Sequence, residues 1–175
     1  MDWNKILDAG DVANGKINVV VEIPKGSNNK VEWRRKLKVF EVDRIEPAIF
    51  AKPANYGFIP QTLDEDGDEL DAFVITNDPL PMNTFIKTRV LGVVKFVDGG
   101  EVDDKILTAP MDDRDSGDQI KTLADVPAQL LKQLEFHLNH YKDLKKPGST
   151  EVVEIGDRDE AIRLIRVAQN RWTEQ

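Results

Sequence analysis

Hydrophobic and polar positions alternate from early in the chain. In KINVVVEIP at 16–24, Ile17, Val19, Val21 and Ile23 fall on one face and Asn18, Val20 and Glu22 on the other, which is the period of a β-strand. The turn-forming KGSNN follows. NKVEWRRK at 29–36 and LKVFEVDR at 37–44 then repeat the alternation, predicting a meander. Further strands are expected at LDAFVIT (70–76), TFIKTRVLGVVKFVD (84–98) and KILTAP (105–110). Beyond residue 110 the period changes. Asp125 and Pro127 suit the start of a helix in which Leu130, Leu131, Leu134, Leu138 and Tyr141 recur at spacings of three and four. A strand, TEVVEIG at 150–156, leads to a second helix from about Asp159, with Ala161, Leu164, Ile165, Ala168 and Trp172 as its apolar stripe. Many short strands followed by two helices predict a small closed or strongly bent β-sheet with helices packed outside it. No repeat, low-complexity stretch or linker interrupts the pattern, so residues 1–175 are expected to form one domain.

Composition narrows the chemistry. No apolar run approaches the ~20 residues of a membrane-spanning helix, and MDWNKILDAGDV lacks the features of a secretory signal. A cytoplasmic protein with no membrane partner is expected. The absence of cysteine excludes disulfides, thiolate catalysis and cysteine-ligated metals. Thirty-two acidic against 24 basic residues give a net charge of -8, which repels a nucleic-acid backbone over most of the surface. No nucleic-acid partner is expected, and a smaller polyanion would need a local basic patch.

The acids are concentrated. LDEDGDELD at 63–71 puts Asp64, Glu65, Asp66, Asp68, Glu69 and Asp71 within eight positions. Such a loop repels itself unless cations are present, and oxygen-only donors favour a hard ion such as Mg²⁺. An exposed acidic turn around Gly67 is the plain alternative. The calcium-binding EF-hand fails on register, because aligning Gly67 with the loop glycine places Phe73 where the bidentate glutamate belongs. A second acidic group, Asp98, Glu101, Asp103 and Asp104, runs directly into Lys105. Two separated carboxylate sets are what a multi-metal phosphoryl site requires. Phosphate also needs donors, and Lys30, Arg44, Tyr56, Tyr141 and Lys142 are candidates, although spacing alone does not bring them together.

An ordered set of motifs does. VVVEIPKGSNNKVEW, VDR, PANYGFIPQTL, DEDGDELDAFV, DDK and HYKDL, spread over about residues 16–145, resemble the soluble family I inorganic pyrophosphatases, and the fourth matches that family's signature D-x-D-G-D-x-x-D. The resemblance implies a mainly β protein, a distorted five-stranded OB-like barrel with two flanking α-helices, that hydrolyses pyrophosphate to two orthophosphates by direct attack of a metal-activated water. It implies about three or four Mg²⁺ ions in the working complex, held by Asp66, Asp71, Asp98 and Asp103, with Asp68 taking the proton of the attacking water. Lys30, Arg44, Tyr56, Lys105, Tyr141 and Lys142 would bind substrate, and Glu22, Glu32 and Asn55 would support them. Relatives of bacterial type are often hexamers, so a homo-oligomer is expected, with His140 at a subunit contact.

The chain also departs from the family. Lys52 stands where a tyrosine usually precedes PANYG, Val31 replaces the tyrosine of Lys-Tyr-Glu, Gly99 follows Asp98 where an acid is common, and the last 30 residues agree least. These changes keep open a catalytically impaired, OB-like module that binds metal or polyanion. A nucleotide or longer polyphosphate is a weaker substrate reading, since no P-loop or base-binding feature is present. His137 and His140, three apart on one predicted helix, are a conceivable metal pair.

Overall fold

In the computed structural model, which describes residues 1–115 and 119–174, strands and helices follow in the order α1 (Trp3–Ile6), β1 (Gly10–Asp11), β2 (Lys16–Ile23), β3 (Asn29–Arg34), β4 (Val39–Ile45), β5 (Asn55–Phe58), β6 (Asp71–Val74), β7 (Phe85–Asp98), β8 (Glu101–Val102), β9 (Lys105–Pro110), α2 (Ala128–His140), β10 (Thr150–Gly156) and α3 (Arg158–Thr173). Five strands form a ring: β2 pairs with β5, β5 with β6, β6 with β9, β9 with β7, and β7 returns to β2. Only the β6–β9 rung of this ring is parallel. This is the expected OB-like barrel, unevenly closed. The strand that closes it is β7, whose Phe85–Arg89 pair with β2 while Thr88–Val94 pair with β9 and Val93–Asp98 with β10. A bulge at Leu91, between the pairs Val90–Thr108 and Gly92–Leu107, bends β7 so that one strand serves both sides.

Every residue of β2 from Ile17 to Ile23 is buried, so the expected two faces are both covered. Ile17 and Val19 enter one apolar cluster with Ala72, Val74, Val90, Val93, Ile106 and the α3 residues Ala161, Ile165 and Ala168. Phe73, Leu91, Phe96, Leu107 and the α2 residues Leu134 and Leu138 form a second. The expected meander is broken after β2, which pairs with β5 and β7, and the β3–β4 hairpin stands apart as a two-stranded sheet. It docks through Trp33, whose ring stacks on Phe58 at 5.2 Å beside Val20 and Trp3.

Three further expectations need correction. No strand is predicted around PANYG, yet β5 runs from its Asn55 to Phe58 with all four residues buried. Its Gly57 is what the close approach to β2 requires, since a Cβ there would lie 1.8 Å from the Val20 carbonyl oxygen. Gly57→Ala is therefore expected to destabilise the protein by at least about 3 kcal/mol. A chemical denaturation midpoint unchanged from the parent would refute this. Secondly, Asp125 does not cap α2. Its carboxylate accepts from the Thr122 backbone N–H at 2.8 Å and closes a 3₁₀ turn over Leu123–Asp125, leaving Pro127 to begin the helix. Thirdly, a short helix, α1, joins the two expected ones. Asp157 caps α3 by accepting from Glu160 N–H at 2.9 Å.

Candidate active site

The site is the charged continuation of one core face. Side chains alternate along a strand, so Asp71 lies on the side of Phe73 and away from Ala72. By the same parity Lys105 shares a face with Leu107, and Asp98 with Phe96. Tyr56 of β5 belongs to the same cluster. Three strands thus carry apolar residues into the core and end, at one rim, in Asp71, Asp98 and Lys105, while Tyr56, paired with Phe73 across β5 and β6, reaches Asp71 with its hydroxyl. The β3–β4 hairpin supplies the opposite wall, where Lys30 and Arg44 are directly paired across the strands. Between them lies a cleft of about 540 Å³.

Buried Lys105 organises the floor. Its ammonium lies 2.5 Å from Asp71 Oδ2 and also pairs with Asp103 Oδ1. Tyr56 donates its hydroxyl to the same Asp71 oxygen. Burial opposes the charge on Lys105, but Asp71 and Asp103 outweigh it and raise the pKa. Asp103 is raised by burial and by Asp71, despite Lys105. At the next strand end, Asp98 accepts from Tyr141 at 2.8 Å and pairs with Lys142; these contacts overcome burial and lower its pKa. Both tyrosines are pushed up, chiefly by burial, and stay protonated. Glu22 sits at a bulge between Val21 and Ile23 and accepts from Trp33 N–H at 2.6 Å. Burial, then the charge of Asp71, raises it well above the usual carboxylate range.

On the hairpin, Lys30 pairs with Glu32 at 2.7 Å, and Arg44 with Asp43 at 2.7 Å and with Glu46. The acidic loop folds on itself: Asp66 accepts from Asp68 N–H at 3.0 Å, and Asp64 N–H donates to the Asp68 carbonyl at 2.8 Å. The Asp68 carboxylate is 82% exposed and projects into the cleft mouth. Partial burial, then Asp66, raises its pKa. The structure thus brings Glu22, Lys30, Glu32, Arg44, Tyr56, Asp66, Asp68, Asp71, Asp98, Asp103, Lys105 and Tyr141 around one cleft, with Lys142 reaching its edge through Asp98. Asn55 is elsewhere. Its buried amide accepts from Lys25 N–H at 2.9 Å and Leu80 N–H at 2.7 Å, so it fastens loops behind the floor.

Arg35 joins the cleft without any signal in the linear pattern, and Asp64 and Glu69 of the acidic segment join it with no role predicted for either. Arg35 ties the hairpin to the acidic loop through the Gly67 carbonyl at 2.6 Å and the buried Glu69 at 2.7 Å. Asp64, brought to about 6 mainly by burial, lies 3.5 Å from Arg171. His137 and His140 do not form a metal pair. His137 is buried with Nε2 3.4 Å from Lys52 Nζ, whereas His140 Nδ1 lies 2.7 Å from Asp143. Burial, assisted by Lys52, lowers His137 from 6.5 to about 3. Between those values the unfolded chain holds a proton that the folded chain does not. This contribution to stability is complete above pH 6.5 and is lost as pH falls, by up to about 1.4 kcal/mol per pH unit. His137→Phe should flatten that part of the stability–pH curve, and an unchanged slope in denaturant titrations would contradict the assignment.

Eleven carboxylates and seven lysines or arginines line the cleft, so a polyanion meets an acid surplus unless cations offset it. Among the described residues no three acid or imidazole groups close on a single point. Instead the Lys105 ammonium bridges Asp71 and Asp103, marking where positive charge is favourable. Oxygen donors alone, in surplus, fit Mg²⁺-type ions.

A barrel rim of this composition carries the donors that a phosphate-like polyanion and hard cations would need together. The profile of the family described as inorganic pyrophosphatase matches residues 19–173. An inorganic pyrophosphatase of Neisseria meningitidis serogroup A is 62% identical over 174 residues, covering 99% of this chain and 98% of its own length. One from Haemophilus influenzae is 61% identical, with 99% of each chain covered. The crystal structure of an inorganic pyrophosphatase from Neisseria gonorrhoeae superposes with a TM-score of 0.97 at 62% identity, covering 98% of this chain and 99% of that one. The chain belongs to the inorganic pyrophosphatase family.

Proposed function

We propose that the chain hydrolyses inorganic pyrophosphate to two orthophosphates with Mg²⁺, in a single catalytic domain spanning 1–175. The observation that carries this reading is the Asp71–Lys105–Asp103 bridge at the floor of an acid-rich cleft walled by Lys30 and Arg44. Asp66, Asp71, Asp98 and Asp103 would hold about three or four ions. When bound, these ions neutralise the phosphate charge and make a water acidic enough to attack. Asp68, exposed at the mouth and raised in pKa, takes the proton of that water as its oxygen bonds to one phosphorus. The bond from that phosphorus to the bridging oxygen breaks, and the second phosphate departs. Lys30, Arg44, Lys105 and Lys142 offset the charge that grows on it, with the tyrosine hydroxyls of Tyr56 and Tyr141 orienting the acids beside it. Glu22 and Glu32 support this set, and Asn55 acts from behind the floor.

The 62% identity over nearly the full chain disfavours the impaired-module alternative. A hexameric homo-oligomer and a cytoplasmic location complete the proposal. Exposed Ile49 and Phe136 offer apolar surface for subunit contact, and among the described residues no helix is long and apolar enough to cross a membrane. The deciding experiment measures orthophosphate released from pyrophosphate with Mg²⁺, with and without chelator. Release that chelation abolishes is expected; none from folded, Mg²⁺-supplied protein would overturn the reading.

A further inference from the structure

Of the seven lysines and arginines that line the cleft, Lys36 and Lys52 have no acid within ion-pair distance among the described residues, and of these two only Lys52 is half-buried, Lys36 being exposed. Lys30, Arg34, Arg35, Arg44 and Lys105 each lie within ion-pair distance of a carboxylate. Among the described residues, no carboxylate stands in that relation to the half-buried Lys52. Its Nζ lies 3.4 Å from His137 Nε2, 4.5 Å from the centre of the Tyr56 ring and 5.5 Å from that of Tyr141. His137 is neutral because it is buried beside this cation, so with its proton on Nδ1 its Nε2 accepts from the ammonium. The two rings are those whose hydroxyls bind Asp71 and Asp98. Lys52 is therefore oriented over the same floor as the acids, by neutral groups only.

That arrangement is incomplete for a charge taken out of water. Two ring faces and a neutral acceptor return less than the cost of desolvating an ammonium. Burial, with Lys30 and Lys105 nearby, accordingly brings Lys52 down to about 7. A phosphate oxygen entering the cleft supplies the missing negative partner. We propose that Lys52 is a further substrate-binding residue, its ammonium presented by His137 and the rings of Tyr56 and Tyr141 to a phosphate oxygen of the diphosphate. The inference rests on the cleft being the pyrophosphate site.

The test is calorimetric binding of methylenediphosphonate, whose P–C–P bridge is not hydrolysed, in Mg²⁺ buffer near pH 7. Lys52→Met should bind about 10- to 100-fold more weakly than the unaltered protein, as loss of a charge-assisted hydrogen bond predicts. Lys52→Arg, which keeps the charge, should stay within about threefold of the parent. Should Lys52→Met fail to fold, Lys52→Gln carries the same expectation. Unchanged affinity without the charge would overturn the proposal, as would equal weakening in the arginine variant, which would make the role steric. Pyrophosphate hydrolysis by the unaltered protein is measured in parallel. If it is absent, the functional reading fails; if it is present while the charge-free variant binds normally, only the role of Lys52 fails.

Discussion

Asp68→Asn is expected to slow orthophosphate release by about 10²- to 10⁴-fold, the range set by loss of a positioned general base. The carboxylate is 82% exposed and its nearest cation, Arg35, is 4.0 Å away, so it contributes little to holding the fold. Its raised pKa, from partial burial and then Asp66, makes it a better proton acceptor than an ordinary surface aspartate. The amide keeps the shape and loses the basicity. The thermal midpoint should therefore stay with the parent while turnover collapses, and retained turnover would remove Asp68 from the mechanism.

Lys105→Met should act on stability and on rate. The side chain is 4% exposed and its ammonium bridges Asp71 and Asp103. Removing it leaves two carboxylates facing each other without their central cation, a change that costs about 3–5 kcal/mol when one partner of a buried ion pair is lost. Denaturant unfolding in chelator should show this full loss, whereas saturating Mg²⁺ should recover part of it by neutralising the same acids. Turnover should fall by at least about 100-fold, because charge developing on the leaving phosphate loses a buried cation. Equal stability of variant and parent in chelator would show that Lys105 does not balance the acids.

Local rules and tertiary packing agree over only part of the chain. The alternation in β2 and β7 announces their strands, and the DEDGDELD segment announces its acids. Four-residue β5 escaped because Pro53 and Gly57 are turn residues by local chemistry, although Gly57 serves a close strand approach. Asp125 was legible as a cap, but the turn it closes precedes α2. The grouping of Asp71, Lys105 and Asp98 follows from strand parity once the ring order is known, and ring order is a tertiary fact. The partnerships of Lys52 with His137, 85 positions away, and of Arg35 with Glu69 depend on packing that no local pattern encodes.

The double duty of β7 bears on when the cleft comes into being. Residues 16–20 meet 85–89 only when the ring closes, and the rim acids at 71, 98 and 103 lie on or between strands gathered by that event. Closing a loop this long costs entropy before any rung of the ladder repays it, which favours slow, cooperative folding over stepwise assembly. The mutual repulsion of the carboxylates is thus deferred to the end of folding. During synthesis, a nascent chain that has not yet emerged beyond residue 110 cannot complete the ring, so it carries the acids as separate, solvated segments.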